Sequence, residues 1–238
     1  MELTDKNYIK KIIIIQQYIK QYLYRLHHLP PIFYDIKAFL EKTKWDVSSQ
    51  NKDGRINSCI DEDKIISILS SQFKIKIPSQ TRMWYDILVY DSIYGWLPVN
   101  IKTTEMKTSD NTGNMAMCIQ AYTDEILDLN KSYNSGEMSD ILFTKLKNKQ
   151  YNKQPKKDYY FIVINKLNIS NVIINSVLGL TKLTPNVNNL PFQVNWKHNT
   201  IYKYDIIDNK IKQFIECLKS PKPSWQERFM SNIRTINI

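Results

Sequence analysis

The sequence predicts an α/β protein in which helices flank a central mixed β-sheet. Three observations lead to this class. Residues 159–164 (YYFIVI) form a continuous apolar run, which is typical of a buried strand. Two further apolar runs, 87–90 and 97–101, are joined by a turn at 92–95 and predict a β-hairpin. Segments with helical periodicity lie before, between and after these strands, and that order is typical of a mixed sheet covered by helices.

The N-terminal segment is predicted to be helical and basic over residues 5–42. Its apolar residues recur at spacings of three and four with lysines between them, and Pro30-Pro31 stops the first helix before a second, short one at 32–40. Part of the first helix resembles the IQ motif, which implies a calmodulin-like light chain as a partner at residues 15–25. The residues that carry this resemblance are Ile15, Gln16, Lys20 and Arg25. The alternative is an ordinary basic amphipathic helix that packs on the domain or lies on DNA.

A polar, glycine-containing segment at 46–57 predicts the domain boundary. It divides the chain into an N-terminal helical extension, 1–45, and a main domain, 46–238. The next helix is predicted from Ser58 to Phe73, with Ser58 as its N-cap. Its first turn would then hold three acids, where the helix dipole favours negative charge: Asp61, Glu62 and Asp63.

The rest of the chain alternates helices, strands and polar loops. Helices are predicted at 115–127, 140–147, 206–218 and 225–233, and strands at 159–164, 171–177 and 192–196. Polar loops are predicted at 106–114, 128–140, 148–157 and 184–191.

Composition and charge indicate a soluble, intracellular protein with a polyanionic partner. Lys and Arg outnumber Asp and Glu by 33 to 23, which favours nucleic acid first and an anionic membrane second. The alternative source of this charge is an A/T-rich gene that encodes many lysines. The three cysteines are far apart, so neither a disulfide framework nor a Cys-x-x-Cys zinc site is predicted. The longest apolar run near the N-terminus, 12–15, is too short to span a membrane, so we expect a location in the cytoplasm of a cellular or virus-infected host.

An acid and a lysine lie at the same end of the predicted hairpin. Asp86 opens the first strand and Lys102 closes the second, and Asn100 shares a strand face with Lys102 because side chains alternate with a period of two. Phosphodiester hydrolysis needs an activated water and a cation beside the phosphate, and Mg²⁺ takes one or two protein carboxylates. Asp86 is therefore a candidate metal ligand, and Lys102 is a candidate to orient or deprotonate water. Glu62 is a third candidate if its helix packs on the sheet; its alternative role is to complement the helix dipole.

This hairpin resembles the active-site hairpin of the PD-(D/E)xK nuclease superfamily, in particular that of type II restriction endonucleases. In that pattern an acid on one strand is followed by acid-x-Lys on the next. Tyr85-Asp86 matches the PD pair with Tyr in place of Pro, and Asn100-Ile101-Lys102 matches acid-x-Lys with Asn in place of the acid. Two flanking segments resemble polar segments found around the hairpin in restriction enzymes, namely Gly54-Arg55-Ile56-Asn57-Ser58 with Glu62, and Ser109-Asp110-Asn111.

The resemblance implies a restriction-endonuclease-like fold for 46–238 and a Mg²⁺-dependent, sequence-specific endonuclease for double-stranded DNA, with Mn²⁺ as a substitute for Mg²⁺. A homodimer is expected because palindromic sites call for two-fold symmetry. The expected catalytic residues are Asp86, Lys102, Asn100 and Glu62, and the expected metal ligands are Asp86, Glu62 and Asn100.

Polar residues on both sides of the hairpin are predicted to contact phosphates and base edges. These residues are Arg55, Asn57, Thr103, Thr104, Lys107, Ser109 and Asn111. Four amides further along the chain suit adenine edges or, alternatively, simply form turns: Asn186, Asn188, Asn189 and Gln193.

Asn100 leaves two interpretations open. An amide oxygen can ligate a cation but adds no negative charge, so metal affinity would rest on Asp86 and on Glu62 or a backbone carbonyl. One interpretation is a working variant of the site, which we favour because Asp86 and Lys102 are both present. The other is an inactive relative that binds DNA without cutting it. A calmodulin-binding module built on the IQ-like helix is the third hypothesis.

Overall fold

The mixed α/β class is confirmed, with helices on both faces of the sheet. The computed structural model describes residues 2–49, 54–80, 83–186, 191–219 and 227–236. Its helices are α1 (Glu2–His27), α2 (Pro31–Lys42), α3 (Gly54–Gln72), α4 (Met115–Tyr122), α5 (Ser135–Lys147), α6 (Ile207–Leu218) and α7 (Glu227–Ile233). Its strands are β1 (Ile75–Lys76), β2 (Ile87–Asp91), β3 (Gly95–Thr104), β4 (Asp110–Asn111), β5 (Tyr160–Asn165), β6 (Asn168–Ser176), β7 (Thr184–Pro185) and β8 (Phe192–Val194).

Five strands form the main sheet in the order β1-β2-β3-β5-β6, and a second sheet has the order β4-β8-β7. In the main sheet β3 and β5 are parallel, whereas the other neighbours are antiparallel. Parallel neighbours need a long crossover connection. The segment that contains α4 and α5 supplies it between β3 and β5.

The predicted hairpin is present as β2 and β3. Its register runs from Asp91 opposite Gly95 to Ile87 opposite Val99. Gly95 has a φ of 73°, in the left-handed region that glycine adopts without steric cost. The Asp91 carboxylate stabilises the turn, because its Oδ1 accepts hydrogen bonds from the backbone N–H groups of Ile93 and Tyr94 at 2.8 and 3.0 Å.

The two faces of the main sheet are both buried. One face of the hairpin carries Ile87, Val89, Val99 and Ile101, which pack with the buried side chains of α2 and α3. The opposite face packs against α4, α5, α6 and α7. Burial on both faces explains why the central strands have continuous apolar runs rather than an alternating pattern.

The N-terminal helices differ in how they meet the sheet. α2 buries Phe33, Ile36 and Leu40 against it, and the Asp91 Oδ2 of β2 accepts a hydrogen bond at 3.2 Å from the Ile32 N–H in the first turn of α2. α2 therefore belongs to the packed core, although it lies within the predicted 1–45 extension. In α1, by contrast, every described side chain from Tyr8 to Tyr24 is exposed.

Several predicted boundaries are wrong for identifiable reasons. α3 begins at Gly54 rather than at Ser58, and its first turn contains no acid. The polar 54–57 segment suggested a loop, but Asn57 is buried in the first turn of the helix, and tertiary packing of this kind outweighs local propensity. β4 and β7 occupy predicted loops because each is two residues long and forms only by pairing with β8. In the described part of the chain, no helix is both long and apolar enough to cross a membrane.

Candidate metal and active site

Asp86 is held in place by the strand that follows it in the hairpin. Its N–H donates to the carbonyl oxygen of Val99 at 3.0 Å, and its Oδ2 accepts from the N–H of Ile101 at 2.7 Å. If the β2–β3 register is continued by one residue, Asp86 lies opposite Asn100. The carboxylate is thus fixed by the sheet rather than by a flexible loop.

Asn100 and Lys102, both on β3, lie on the same face of the main sheet as Asp86. Val99 and Ile101, the intervening residues, point into the core beneath α2 and α3. The alternation of side chains along a strand therefore puts Asn100 and Lys102 on the other face, beside Asp86. The structure brings these three residues together at the end of the hairpin.

Glu62 approaches the same point from α3. Its Oε1 is 3.3 Å from Lys102 Nζ, and its carboxylate also accepts a hydrogen bond from the backbone of Thr103. Because α3 begins at Gly54, Glu62 lies about two turns into the helix. Dipole complementation, the alternative role for Glu62, is therefore wrong, since that effect is confined to the first turn.

The carboxyl groups of Glu62 and Asp86 both interact with Lys102. Burial raises the pKa of Glu62 above its usual value; Lys102 opposes this shift and the negative charge of Asp86 adds to it. Burial also raises the pKa of Asp86, against the opposing effects of Lys102 and of the Ile101 N–H. Both carboxyls thus hold their protons more tightly than in water, chiefly because they are buried. A cation bound beside them would favour their charged forms.

Asn100 contributes an oxygen that has no hydrogen-bond partner among the described residues. Its Oδ1 is buried and accepts no hydrogen bond from the described residues. The Asn100 side chain does form a hydrogen bond with Tyr159. Burial raises the pKa of Tyr159 well above its usual value, and the hydrogen bond with Asn100 opposes this rise. A buried acceptor without a donor costs free energy, and such an atom calls for an explanation such as an ion or a water. An amide oxygen beside a carboxylate suits Mg²⁺, so the residues present fit this cation.

Asp110 is a site residue that the sequence did not single out. Burial raises its pKa, and Thr104, Lys102 and Trp196 all act in the opposite direction. Lys102 thus has three acids around it, since Asp110 joins Glu62 and Asp86. The sequence placed Asp110 only in a polar segment after the hairpin. Its approach to Lys102 depends on the pairing of β4 with β8, which local pattern does not reveal.

Few of the described side chains at the site could ligate a metal ion. In the described ranges, no three or more His, Cys, Asp or Glu side chains form a group able to hold a metal. The ligands available for Mg²⁺ are the carboxylates of Asp86 and Glu62 together with Asn100 Oδ1. Mg²⁺ keeps several waters and usually takes one or two protein carboxylates, so this set is within its ordinary range.

The predicted DNA-contacting residues lie in different environments. Asn57, Thr103 and Thr104 are buried, and the Thr104 hydroxyl accepts a hydrogen bond from the Met106 N–H at 3.1 Å. Lys107 is exposed and forms an ion pair with Glu105 at 2.6 Å. Of the seven predicted residues, the ones with surface available for a partner are Lys107, Ser109 and Asn111. The side chain of Arg55 lies outside the described residues.

A pair of amides lies on the three-stranded sheet next to Asp110. Asn111 Oδ1 accepts a hydrogen bond from Gln193 Nε2 at 2.7 Å across the β4–β8 pair. Asn186 Nδ2 is 3.5 Å from the same oxygen. Asn188 and Asn189, which the sequence suggested as base readers, lie outside the described residues.

A scan against protein-family models and a search of curated proteins found no match to the chain.

Proposed function

We propose that the chain is a Mg²⁺-dependent endonuclease for double-stranded DNA, similar in fold and site to type II restriction endonucleases. The observation that carries the proposal is the cluster at the end of the β2–β3 hairpin. Asp86 and Asn100 lie opposite each other there, and Lys102 Nζ is 3.3 Å from Glu62 Oε1.

The layout of the sheet supports this proposal. An antiparallel hairpin leads into β3, which pairs in parallel with β5, and α3 covers one face and delivers Glu62. This layout is compatible with the restriction-endonuclease-like fold that the motif implies. The net charge of +10 and the basic pI of about 9.3 favour a polyanionic substrate.

Each residue of the cluster has a chemical role in the proposal. Asp86, Glu62 and Asn100 would hold the cation. The cation, when bound, supplies charge neutralisation at the phosphate and lowers the pKa of a coordinated water. Lys102 is positioned to orient the attacking water and to offset the charge of the transition state. Its bond to Glu62 keeps the ammonium group within the site when no substrate is present.

The remaining parts of the proposal concern recognition and assembly. The exposed Lys107 and Asn111 and the half-buried Ser109 are the groups beside the site that suit phosphate and base contacts. A homodimer would present two such sites to a palindromic sequence. Mn²⁺ is expected to replace Mg²⁺, because both ions accept carboxylate and amide oxygen ligands.

The second candidate function is DNA binding without cleavage, and Asn100 is the observation that favours it. An amide in place of an acid removes one negative charge from the cation site. The substitution Asn100→Asp separates the two candidates in part. A gain in cleavage or in Mg²⁺ affinity would place residue 100 among the metal ligands, and no effect would exclude it from them.

The proposal is tested by incubating plasmid DNA with the protein in Mg²⁺, and in parallel in Mn²⁺ or EDTA. Wild type should cleave in either metal and not in EDTA. Lys102→Ala should lower the rate by at least about 100-fold, which is the usual contribution of a group that acts on the attacking water. Asp86→Ala should lower it by a similar factor of at least about 100, because it removes a ligand of the cation on which the reaction depends. Asp63→Ala is the matched control, because Asp63 is the exposed acid next to Glu62 on α3.

The outcomes distinguish the candidates. Binding of DNA without cleavage by wild type would favour the non-catalytic candidate and reject the enzyme. Absence of both binding and cleavage would reject both. Mapping the ends produced from a sequenced genome would then give the recognition sequence and the cut position.

A further inference from the structure

α1 extends from the packed body and is attached to it near its C-terminal end. The Leu26 carbonyl oxygen accepts hydrogen bonds from Lys156 Nζ and from Tyr202 Oη, each at 3.0 Å. The ring of His27 meets that of Tyr204 edge-on, with 4.8 Å between centroids. From Tyr8 to Tyr24 every described side chain is exposed, so the parts of the chain that the structure describes do not cover this length of the helix.

The exposed helix carries an apolar stripe with heptad spacing. Six residues follow one another at intervals of four, three, four, three and four, which is the a/d pattern of a coiled coil. They are Tyr8, Ile12, Ile15, Ile19, Tyr22 and Leu26. Ile9 and Leu23 widen this α1 stripe on one side. Apart from Leu26, the stripe side chains are between 39% and 67% exposed.

A lone helix with this sequence is poorly stabilised. α1 has 26 residues, four of them consecutive isoleucines at 12–15. β-Branched residues have only moderate helix propensity, and isolated helices in water are marginal unless an apolar face is packed. The helix therefore needs a partner surface that buries the α1 stripe.

We propose that the α1 helices of two copies of this chain pair in parallel along the α1 stripe. The a/d alternation is self-complementary, since it keeps the same face of each helix turned to its partner. An anionic bilayer accepts any apolar face and does not require this alternation. The pattern therefore favours a second helix over a membrane.

The area of the stripe agrees with a dimer of ordinary size. From their exposed fractions, the seven most exposed stripe residues present on the order of 700 Å² of surface, compared with roughly 800 Å² per partner in a standard interface. Contiguous exposed apolar patches on monomers rarely exceed about 600 Å². The α1 stripe is thus larger than an isolated protein usually leaves uncovered.

The charges along the stripe permit a parallel pair. Lys11 and Tyr18 flank one edge of the stripe, and Gln16 and Leu23 flank the other. In a parallel coiled coil these two edges meet across the seam, so a lysine faces a glutamine and a tyrosine faces a leucine. Like charges are not opposed there. The basic residues Lys10 and Lys20 lie on the outer face.

The experiment is sedimentation velocity over a dilution series of the full-length chain. Wild type should be dimeric with a dissociation constant in the micromolar range or tighter, as expected for an interface of about 1,400 Å² in total. The double variant Ile15→Asp/Ile19→Asp should weaken dimerisation by at least about 100-fold, because each acid is buried unpaired in the seam. Ile14→Asp is the matched control, since Ile14 is 43% exposed on the outer face, and it should leave the dimer intact.

A second measurement tests direction and does not depend on a destabilising variant. Ile12→Cys in a Cys59→Ser background should form an interchain disulfide under mild oxidation, because identical a positions meet only in a parallel, in-register pair. The Cys59 replacement is needed because that thiol is exposed, whereas Cys118 and Cys217 are buried. A dimer that fails to cross-link would overturn the parallel arrangement.

Other outcomes would overturn the pairing itself. These are a wild-type monomer at about 100 μM, or equal disruption by Ile14→Asp. A monomer that sediments with phosphatidylserine-containing vesicles would assign the stripe to a membrane, and a monomer that binds calmodulin would assign it to the IQ-like hypothesis. None of these measurements uses DNA or the Asp86 cluster, so their failure is separate from failure of the proposed nuclease.

Discussion

Asp158 is a fully buried acid whose ionisation should lower the stability of the fold at neutral pH. Burial raises its pKa from 3.8 to about 6, although hydrogen bonds from Ser176, Tyr159 and Leu178 and the nearby Lys156 oppose the shift. The folded state therefore binds this proton more tightly than the unfolded state does. The resulting stabilisation is complete below about pH 4 and is lost as the pH rises through about 6.

The magnitude follows from the shift. About two pKa units correspond to roughly 3 kcal/mol at full ionisation. Asp158→Asn removes the ionisation and keeps an oxygen that can accept the Tyr159 and Leu178 N–H bonds, which measure 2.7 and 3.3 Å. The stability of the variant minus that of wild type should therefore increase by about 2 to 3 kcal/mol between pH 4 and pH 7.5.

Urea unfolding at pH 4, 5, 6 and 7.5 measures this difference directly, and comparing variant with wild type at each pH cancels the other titrating groups. Asp140→Asn, the same substitution at an exposed position on α5, is the control and should leave the stability close to that of wild type. If the stability of Asp158→Asn minus that of wild type stayed constant to within about 0.5 kcal/mol across these pH values, the reasoning would be refuted.

Three further predictions concern other parts of the fold and site. Burial lowers the pKa of Lys156 to about 8, so the unfolded state binds more protons between about pH 8 and 10.5 and stability should rise across that window. Burial lowers the pKa of Lys157 to about 8 as well, so chemical denaturation should show a smaller rise in Lys156→Met than in wild type, and an equal rise would contradict the prediction. Gly179→Ala should destabilise the folded protein by about 1–3 kcal/mol, because a Cβ there would clash with Asn175 Oδ1 and the Tyr202 ring. Gly136→Ala, where the nearest atom is 3.5 Å away, should be nearly neutral, and equal melting temperatures for the two variants would contradict this prediction. Asp110→Asn should shift the Mg²⁺ concentration needed for half-maximal cleavage about tenfold, because it removes a negative charge beside Lys102. An unchanged midpoint of this metal titration would exclude Asp110 from the site.

The parts of the fold that follow from short-range pattern were predictable. The buried run at 159–164 corresponds to β5, and the turn before Gly95 joins β2 to β3 in the expected register. The period of two along a strand was enough to put Asn100 and Lys102 on one face, next to Asp86. These inferences depend on residues that are neighbours in the chain or in a hairpin, so sequence carries them.

The parts that depend on distant packing were not predictable. Glu62 had two possible roles until the start of α3 at Gly54 removed the dipole interpretation. Asp110 approaches Lys102 because β4 pairs with β8. The two strands are distant in sequence, since the contacting residues Asn111 and Gln193 are 82 positions apart. Packing of α1 on the domain was one alternative that the sequence left open, and it is wrong over Tyr8–Tyr24 because the apolar side chains there are exposed. Periodicity identifies an apolar face but not the surface that covers it.

The sharpest test of the hairpin cluster as an active site is the rate of plasmid cleavage in Mg²⁺, measured side by side for wild type, Lys102→Ala and Asp63→Ala. We expect metal-dependent cleavage by wild type, an equal rate for Asp63→Ala, and a loss of at least about 100-fold for Lys102→Ala. Cleavage by Lys102→Ala at the wild-type rate would contradict the assignment of the hairpin cluster as the active site.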